Sequence, residues 1–352
     1  MIKILHITTA KSWRGGERQV TNLIKSLEAY NDIECFILCE KDSAIDKRIV
    51  ESEYKITHKG NILSWTKKIN NLCKEKSIDL IHAHESKAHT NAILSSIFFR
   101  KVPVIVTRRV LFSVKGTLSK FKYQKTQKVI CISSAVKEVM MKFVDVNNIK
   151  VIPSAIDTNK FNEIEDVNFD FLDNEKFKIA YVAAFTYEKD HLTFLKTAKR
   201  ILDKKQNVEF YLVGDGGLLA ETKQLVEDLN LQESVKIVGF IKNINALIPK
   251  LDLLLFTSIS EGLGSTVLDF FLAKRPVVVT DSLGVRDIVE DKRTGFLCDI
   301  GDDEKLSERV IELMDDEELR NKIVQKAYDK VNNKFSLKYL AEKHHSLYKS
   351  MV

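Results

Sequence analysis

Proline is scarce in this chain of 352 residues, with four in all, and glycine holds only 13 positions. That scarcity excludes a long flexible linker. No stretch reaches the roughly 18 apolar residues that a membrane-crossing helix needs. The best candidate, 93–106, is broken by Arg100-Lys101-Val102-Pro103. Cysteine is sparse and odd in number: Cys35, Cys39, Cys73, Cys131 and Cys298 are scattered through apolar surroundings. They read as buried thiols rather than a disulfide framework. Met1 to Thr8 turns polar too early for an export signal and reads as a first strand. These absences predict a reduced, cytoplasmic setting. Neither a G-x-S-x-G elbow nor a Walker loop occurs, so the chemistries built on them are excluded.

What is present is ordinary globular composition. Hydrophobic residues make up 44% and charged residues 30%, which rules out disordered and collagen-like classes. At about 150 residues per domain the length predicts two domains. Charge is uneven. Residues 1–172 carry 28 Lys and Arg against 19 Asp and Glu, a net +9, whereas 173–352 carry 27 against 30, a net −3. The first half is therefore expected to meet something anionic.

Short apolar runs alternate with amphipathic stretches. Strands are predicted at 2–7, 34–38, 80–82, 104–106, 129–132 and 150–152. A second series follows at 178–182, 209–213, 235–238, 251–256 and 276–280. Helical patterns between them include 16–27, 135–143, 192–203, 218–229 and 304–314. This alternation predicts an α/β fold of two doubly wound, Rossmann-like parallel-sheet domains facing a cleft, with ligands beyond the carboxyl ends of the strands. The polar stretch 157–176 marks the boundary.

Six motifs stand at such places. In Ser12-Trp13-Arg14-Gly15-Gly16-Glu17-Arg18, Gly15 and Gly16 open a helix whose amides could face an anion, or form a tight strand-to-helix turn. Val213-Gly214-Asp215-Gly216-Gly217 carries half of a dinucleotide fingerprint, but Leu219 stands where its last glycine belongs. The densest motif is Ser258-Ile259-Ser260-Glu261-Gly262-Leu263-Gly264-Ser265-Thr266-Val267-Leu268-Asp269. Here Ser265 or Thr266 is expected to cap a helix, with the amides of Leu263 to Thr266 facing a diphosphate. Glu261 and Asp269 offer carboxylates that can each accept two sugar hydroxyls; the plainer reading is an acidic start that complements a helix dipole. Lys189, after the first strand of the second half, could neutralise a phosphate or be a solvated lysine. Residues 100–128 hold nine Lys or Arg and no Asp or Glu, with Phe112, Phe121 and Tyr123 interleaved. That pattern suits an anionic lipid surface or anionic acceptor, or a solvated helix face. Finally, His82 and His84 share one strand face. With no third ligand specified, His84 is expected to reach the cleft and no metal is expected.

Taken in this order, the motifs resemble those of the retaining GT-B glycosyltransferases called family 4, over nearly the whole chain. The family's Glu-x7-Glu resembles Glu261 to Asp269, followed by the matching Arg275-Pro276-Val277-Val278-Val279-Thr280 and Thr294-Gly295-Phe296. Its donor-phosphate lysine matches Lys189, its acceptor-side loop Gly15-Gly16, and its nucleotide-base region Val238-Gly239-Phe240. The Gly214-Asp215-Gly216 turn, 130–135 and 151–157 fit as well. Three positions depart from the pattern: Asp269 shortens the second carboxylate by a methylene, Ala184 stands where an arginine is frequent, and Arg109 stands where a histidine is frequent.

The resemblance implies a hexosyltransferase acting with retention and without a metal. The nucleotide-diphosphate sugar is its co-substrate and no other cofactor is implied. Glu261, Lys189 and Arg109 would be catalytic. Gly214, Gly216, Phe240, Leu263, Gly264, Ser265, Thr266 and Asp269 would hold the donor, with Gly15, Gly16, His84 and Arg108 on the acceptor side. The acceptor would be a glycan or glycolipid of lipopolysaccharide, capsule or another surface glycan, with 100–128 meeting an anionic membrane face and no nucleic acid bound. Domains are expected at 1–165 and 166–335, with a last helix in 336–352 crossing back to the first. The competing reading is a GT-B-like protein that binds a nucleotide sugar or glycan without transferring it.

Overall fold

The computed structural model describes residues 1–13, 15–49, 54–162 and 166–352. It divides into two compact units, Met1–Ala155 with Leu337–Val352, and Ile156–Ser336. The change of unit falls between Ala155 and Ile156, ahead of the polar stretch 157–176. Its cause is local. The Gln19 side-chain amide donates to Ala155 O (2.7 Å) and accepts from Ala155 N (2.9 Å), tying that residue to the first unit. The next amide, Ile156 N, donates to Phe335 O (2.8 Å) in the second.

The first unit holds a seven-stranded parallel sheet: β1 (Ile2–Thr8), β2 (Ile33–Glu40), β3 (Lys55–His58), β4 (Leu80–Ala83), β5 (Val104–Arg108), β6 (Lys128–Cys131) and β7 (Ile149–Val151). Their spatial order is β3-β2-β1-β4-β5-β6-β7. The second holds six parallel strands: β8 (Phe177–Val182), β9 (Val208–Val213), β10 (Val235–Gly239), β11 (Leu253–Phe256), β12 (Val277–Thr280) and β13 (Phe296–Cys298), in the order β10-β9-β8-β11-β12-β13. Strands covered by helices on both faces read as unbroken apolar runs. Accordingly every residue of β9, β11 and β12 is buried.

In each sheet the chain winds one way from the first strand and then returns to the other side of it. This places a switch point between β1 and β4, and another between β8 and β11. Crevices outside the carboxyl ends of such strand pairs are where α/β sheets bind ligands. The C-terminal helix, Leu337–Lys349, belongs to the core of the first unit: Leu340, Ala341, Leu347 and Tyr348 pack with Ile4, Leu23, Leu80 and Ile105. Among the described residues no helix is long and apolar enough to cross a membrane.

Candidate functional site

The switch point of the second sheet brings together two residues 72 positions apart. Lys189 ends a single helical turn, Tyr187–Lys189, after β8, and Glu261 lies in the turn after β11. The Lys189 ammonium forms an ion pair with Glu261 Oε1. Both loops are tied down behind it. Tyr181 Oη donates to Lys189 O (2.7 Å) and lies 2.8 Å from Ser258 Oγ, while Ile259 N donates to Glu188 O (2.8 Å). The side chains of Lys189 and Glu261 are 22% and 12% exposed, so the pair is reachable without being loose.

The turn after Glu261 differs from expectation in one respect. Neither Ser265 nor Thr266 caps the helix; Gly264 is the cap, with φ +84°, and the helix begins at Ser265. A hydroxyl cap needs an extended backbone at that position, whereas this turn needs the left-handed region that glycine enters freely. A Cβ at Gly264 would also lie 3.0 Å from Val285 Cγ2. Ser265 and Thr266 thus occupy the first helical turn, whose amides have no carbonyl partner inside the helix. Leu263 is buried beneath the turn. Asp269, also buried, is ion-paired with Lys160, a residue the motifs did not point to.

Two glycines bring the β9 loop against the β8 loop. A Cβ at Gly214 (φ +151°) would lie 1.9 Å from Ala183 O, and one at Gly216 would lie 2.4 Å from Phe185 O. Gly214→Ala is therefore expected to lower stability by about 2 kcal/mol or more. Gly217→Ala, where a Cβ meets nothing within 4 Å, should be near neutral; thermal melts of the two variants check this contrast. Phe240 follows β10 with 74% of its surface exposed, an aromatic face available for stacking.

At the switch point of the first sheet, Thr9 N (2.8 Å) and Thr9 Oγ1 (2.7 Å) donate to Glu85 Oε1 and join the loops after β1 and β4. Gly15 and Gly16 begin the helix Gly15–Leu27; Arg14 of that motif lies outside the described residues. A Cβ at Gly16 would meet Arg109 Cδ at 3.7 Å, so the Arg109 side chain runs alongside the start of this helix. Arg109 Nη1 donates to Ser154 Oγ (3.3 Å), and burial pulls its guanidinium down to about 10, opposed by Glu17.

His84 is turned inward. It is buried, and its Nε2 lies 2.9 Å from His6 Nδ1, with the two rings stacked at 5.2 Å. The expectation that it reaches an open crevice is corrected on this point: β1 and β4 pair His6 with His82, which stacks histidines beneath the strand ends. His82 lies 2.7 Å from Tyr348 Oη and 2.7 Å from Thr107 Oγ1, and His344 stacks on it at 5.8 Å. Burial drives His82 and His84 well below the ordinary histidine range, His6 to about 3 and His344 to about 4. His6, His82 and His84 offer ligand nitrogens within 4.8 Å of one another, without a carboxylate or thiolate among them. His6 was missed because it stands alone in an apolar strand; its match to His82 becomes visible only through the β1–β4 register. Arg108, last residue of β5, bonds to Val110 O (3.2 Å), Phe112 O and Tyr123 Oη (3.3 Å).

Comparison with known proteins bears on the family and the fold. The family profile of glycosyl transferases group 1 matches residues 163–330, and that of glycosyltransferase family 4 matches 13–160. The UDP-Gal:alpha-D-GlcNAc-diphosphoundecaprenol alpha-1,3-galactosyltransferase of Escherichia coli is 26% identical over 80% of this chain and 78% of its own. The N-acetylgalactosamine-N,N'-diacetylbacillosaminyl-diphospho-undecaprenol 4-alpha-N-acetylgalactosaminyltransferase of Campylobacter jejuni is 23% identical over 93% and 96%. Among solved structures, Anabaena Alr3699/HepE in complex with UDP superposes with a TM-score of 0.84 over 99% of this chain and 100% of that one, at 19% identity, a likeness of fold. With two doubly wound sheets and family profiles matching in both halves, the chain belongs to the family 4 glycosyltransferases of GT-B fold.

Proposed function

We propose that this chain transfers a hexosyl group, with retention of anomeric configuration and without a metal, from a nucleotide-diphosphate sugar to a lipid-linked or polysaccharide acceptor in surface-glycan synthesis. The observation that carries this reading is the meeting of Lys189 and Glu261 at the β8/β11 switch point, beside the glycine turn that opens the Ser265–Leu272 helix. As the sugar–phosphate bond breaks, negative charge grows on the leaving diphosphate. The Lys189 ammonium and the first amides of that helix would stabilise it, the electrostatic help that usually dominates such steps. Glu261 would hold sugar hydroxyls. Asp269 would reach the ribose on release from Lys160, and Phe240 would stack on the base. Arg109, a cation that cannot act as a base, would face an anionic acceptor or the departing phosphate. The leaving phosphate itself would take the acceptor proton. The names of the relatives make uridine diphosphate sugars the first donors to try. The test is a transfer assay with UDP-galactose and UDP-N-acetylglucosamine on a diphosphoundecaprenol-linked sugar. An α-linked product by NMR supports the reading; a β-linked product overturns retention.

The second reading, binding without transfer, draws on Asp269 being held by Lys160 and on arginine at 109. It predicts donor binding with no turnover on any acceptor.

The acceptor side is proposed to work at an anionic membrane face. Phe112 (75% exposed) and Leu118 (64%) stand out among the lysines of 100–128. Each basic residue near such a surface contributes about 1 kcal/mol. Vesicles rich in anionic lipid should sediment the protein at low salt and release it at high salt; failure to bind at low salt contradicts this proposal.

A further inference from the structure

We infer that the first unit carries its own phosphate site, in the cavity bounded by the end of β5, the start of the helix Ser86–Phe98 and the helix Thr117–Gln124. The ligand class is a phosphate or diphosphate ester; resting on the transferase reading above, this would be the anionic group of the acceptor. The cavity holds about 310 Å³ and is lined by three cations, Arg108, Lys115 and Lys122, with the hydroxyls of Ser86, Ser119 and Tyr123. Among the described residues no carboxylate lines it. Its position beyond the carboxyl ends of β4 and β5 is where such sheets bind ligands.

The charges argue more strongly than the shape. Lys122 is buried, 5% exposed, yet among the described residues its ammonium donates to neutral oxygens alone: Ser86 O (2.9 Å), Ser86 Oγ (2.9 Å) and Thr90 Oγ1 (3.2 Å). Arg108 likewise donates to two backbone carbonyls and a phenol. Glu85 is the carboxylate that acts on Lys122, but its oxygens already accept from Thr9 N, Thr9 Oγ1, Lys87 N and Ala88 N. Burial outweighs Glu85 and pulls Lys122 below the ordinary lysine range, and Arg108 pushes the same way. Buried cations without a matched counter-charge are costly. A phosphate in the cavity would offset that cost, with charge-assisted bonds from Arg108 and Lys122 and a point charge from Lys115 at the rim.

The experiment is calorimetric titration of the whole protein with geranyl diphosphate, inorganic pyrophosphate and geraniol, each with UDP present in saturating amount to occupy the donor turn. Geranyl diphosphate should bind, and Arg108→Gln and the exposed Lys115→Gln should weaken it, about tenfold or more together. Lys122→Met should abolish binding if it folds; the exposed variant keeps the test open if it does not. Geraniol should not bind. Pyrophosphate binding as tightly as the ester would place the site with free diphosphate, and weaker binding would place it with a lipid-linked one; both outcomes support the site. Unchanged affinity in Arg108→Gln/Lys115→Gln overturns it. UDP binding measured alone separates the two readings: if UDP fails to bind while geranyl diphosphate still does, the donor assignment fails and the phosphate site stands.

Discussion

Lys189→Ala is expected to lower kcat/KM for sugar transfer by about 10²- to 10³-fold, the usual loss when one group aimed at developing negative charge is removed. The loss has two sources. The ammonium no longer offsets charge on the leaving diphosphate, and Glu261, left without its cation, turns an uncompensated carboxylate toward the same space. Stability should change little, because a partly exposed ion pair contributes on the order of 1 kcal/mol or less. Glu261→Gln should be similarly impaired, and the double variant should lose less than the product of the two, since the residues act on one group. Lys205→Ala, which removes an ion pair to Asp315 on the outside of the second unit, is the matched control and should keep near-normal rates. Initial rates beside thermal melts check all four. A Lys189→Ala enzyme within threefold of the parent would remove this residue from the chemistry.

The second large effect is on acid stability of the first unit. His6 and His344 are held at about 3 and about 4 by burial, below the 6.5 of an exposed histidine. The native protein therefore refuses protons that the unfolded chain accepts below about 6.5. Where the unfolded state binds more protons, stability rises with pH; on acidification it is lost from about 6.5 down to about 4 for His344 and about 3 for His6. At pH 5 these two histidines alone account for about 4 kcal/mol. For a unit of this size that is a fall of about 8–16 °C in Tm. His82, His84 and His89 shift the same way and add to it. Carboxylates held low by ion pairs, such as Asp32 beside His345 and Lys349, are lost only as the pH falls through the ordinary carboxylate range and below, so the histidine loss begins at higher pH than theirs. Trp13 and Trp65, the two tryptophans of the chain, both lie in the first unit. Their fluorescence follows its melting alone. A Tm unchanged between pH 7.5 and 5 would contradict this account.

Much of the fold was legible because both sheets are parallel and buried. Runs such as Leu253–Phe256 and Val277–Thr280 announce strands by apolarity alone. β3 and β13 were not legible. The first is a half-exposed edge strand of Lys-Ile-Thr-His, and the second has three residues, too short to show a period. At the candidate site, the glycines, Lys189 and Glu261 stood out because turn chemistry is local and leaves residue-type signals. Lys160 did not, because its meaning lies in Asp269, 109 positions on. The histidine cluster was half visible: His82 and His84 alternate in sequence, whereas His6 and His344 arrive through strand pairing and the docking of the last helix.

The turn joining Lys189, Glu261 and the Ser265–Leu272 helix is proposed to hold a nucleotide diphosphate. Its most direct test is a thermal-shift panel of the wild type and Lys189→Ala with UDP, GDP, ADP and CMP. At about 100 times its Kd, a ligand adds roughly 2.7 kcal/mol, a rise of about 5–10 °C. One diphosphate should raise the melting temperature of the wild type and leave Lys189→Ala unmoved, with CMP inert on both. No shift with any nucleotide, or an equal shift in both proteins, would contradict the account.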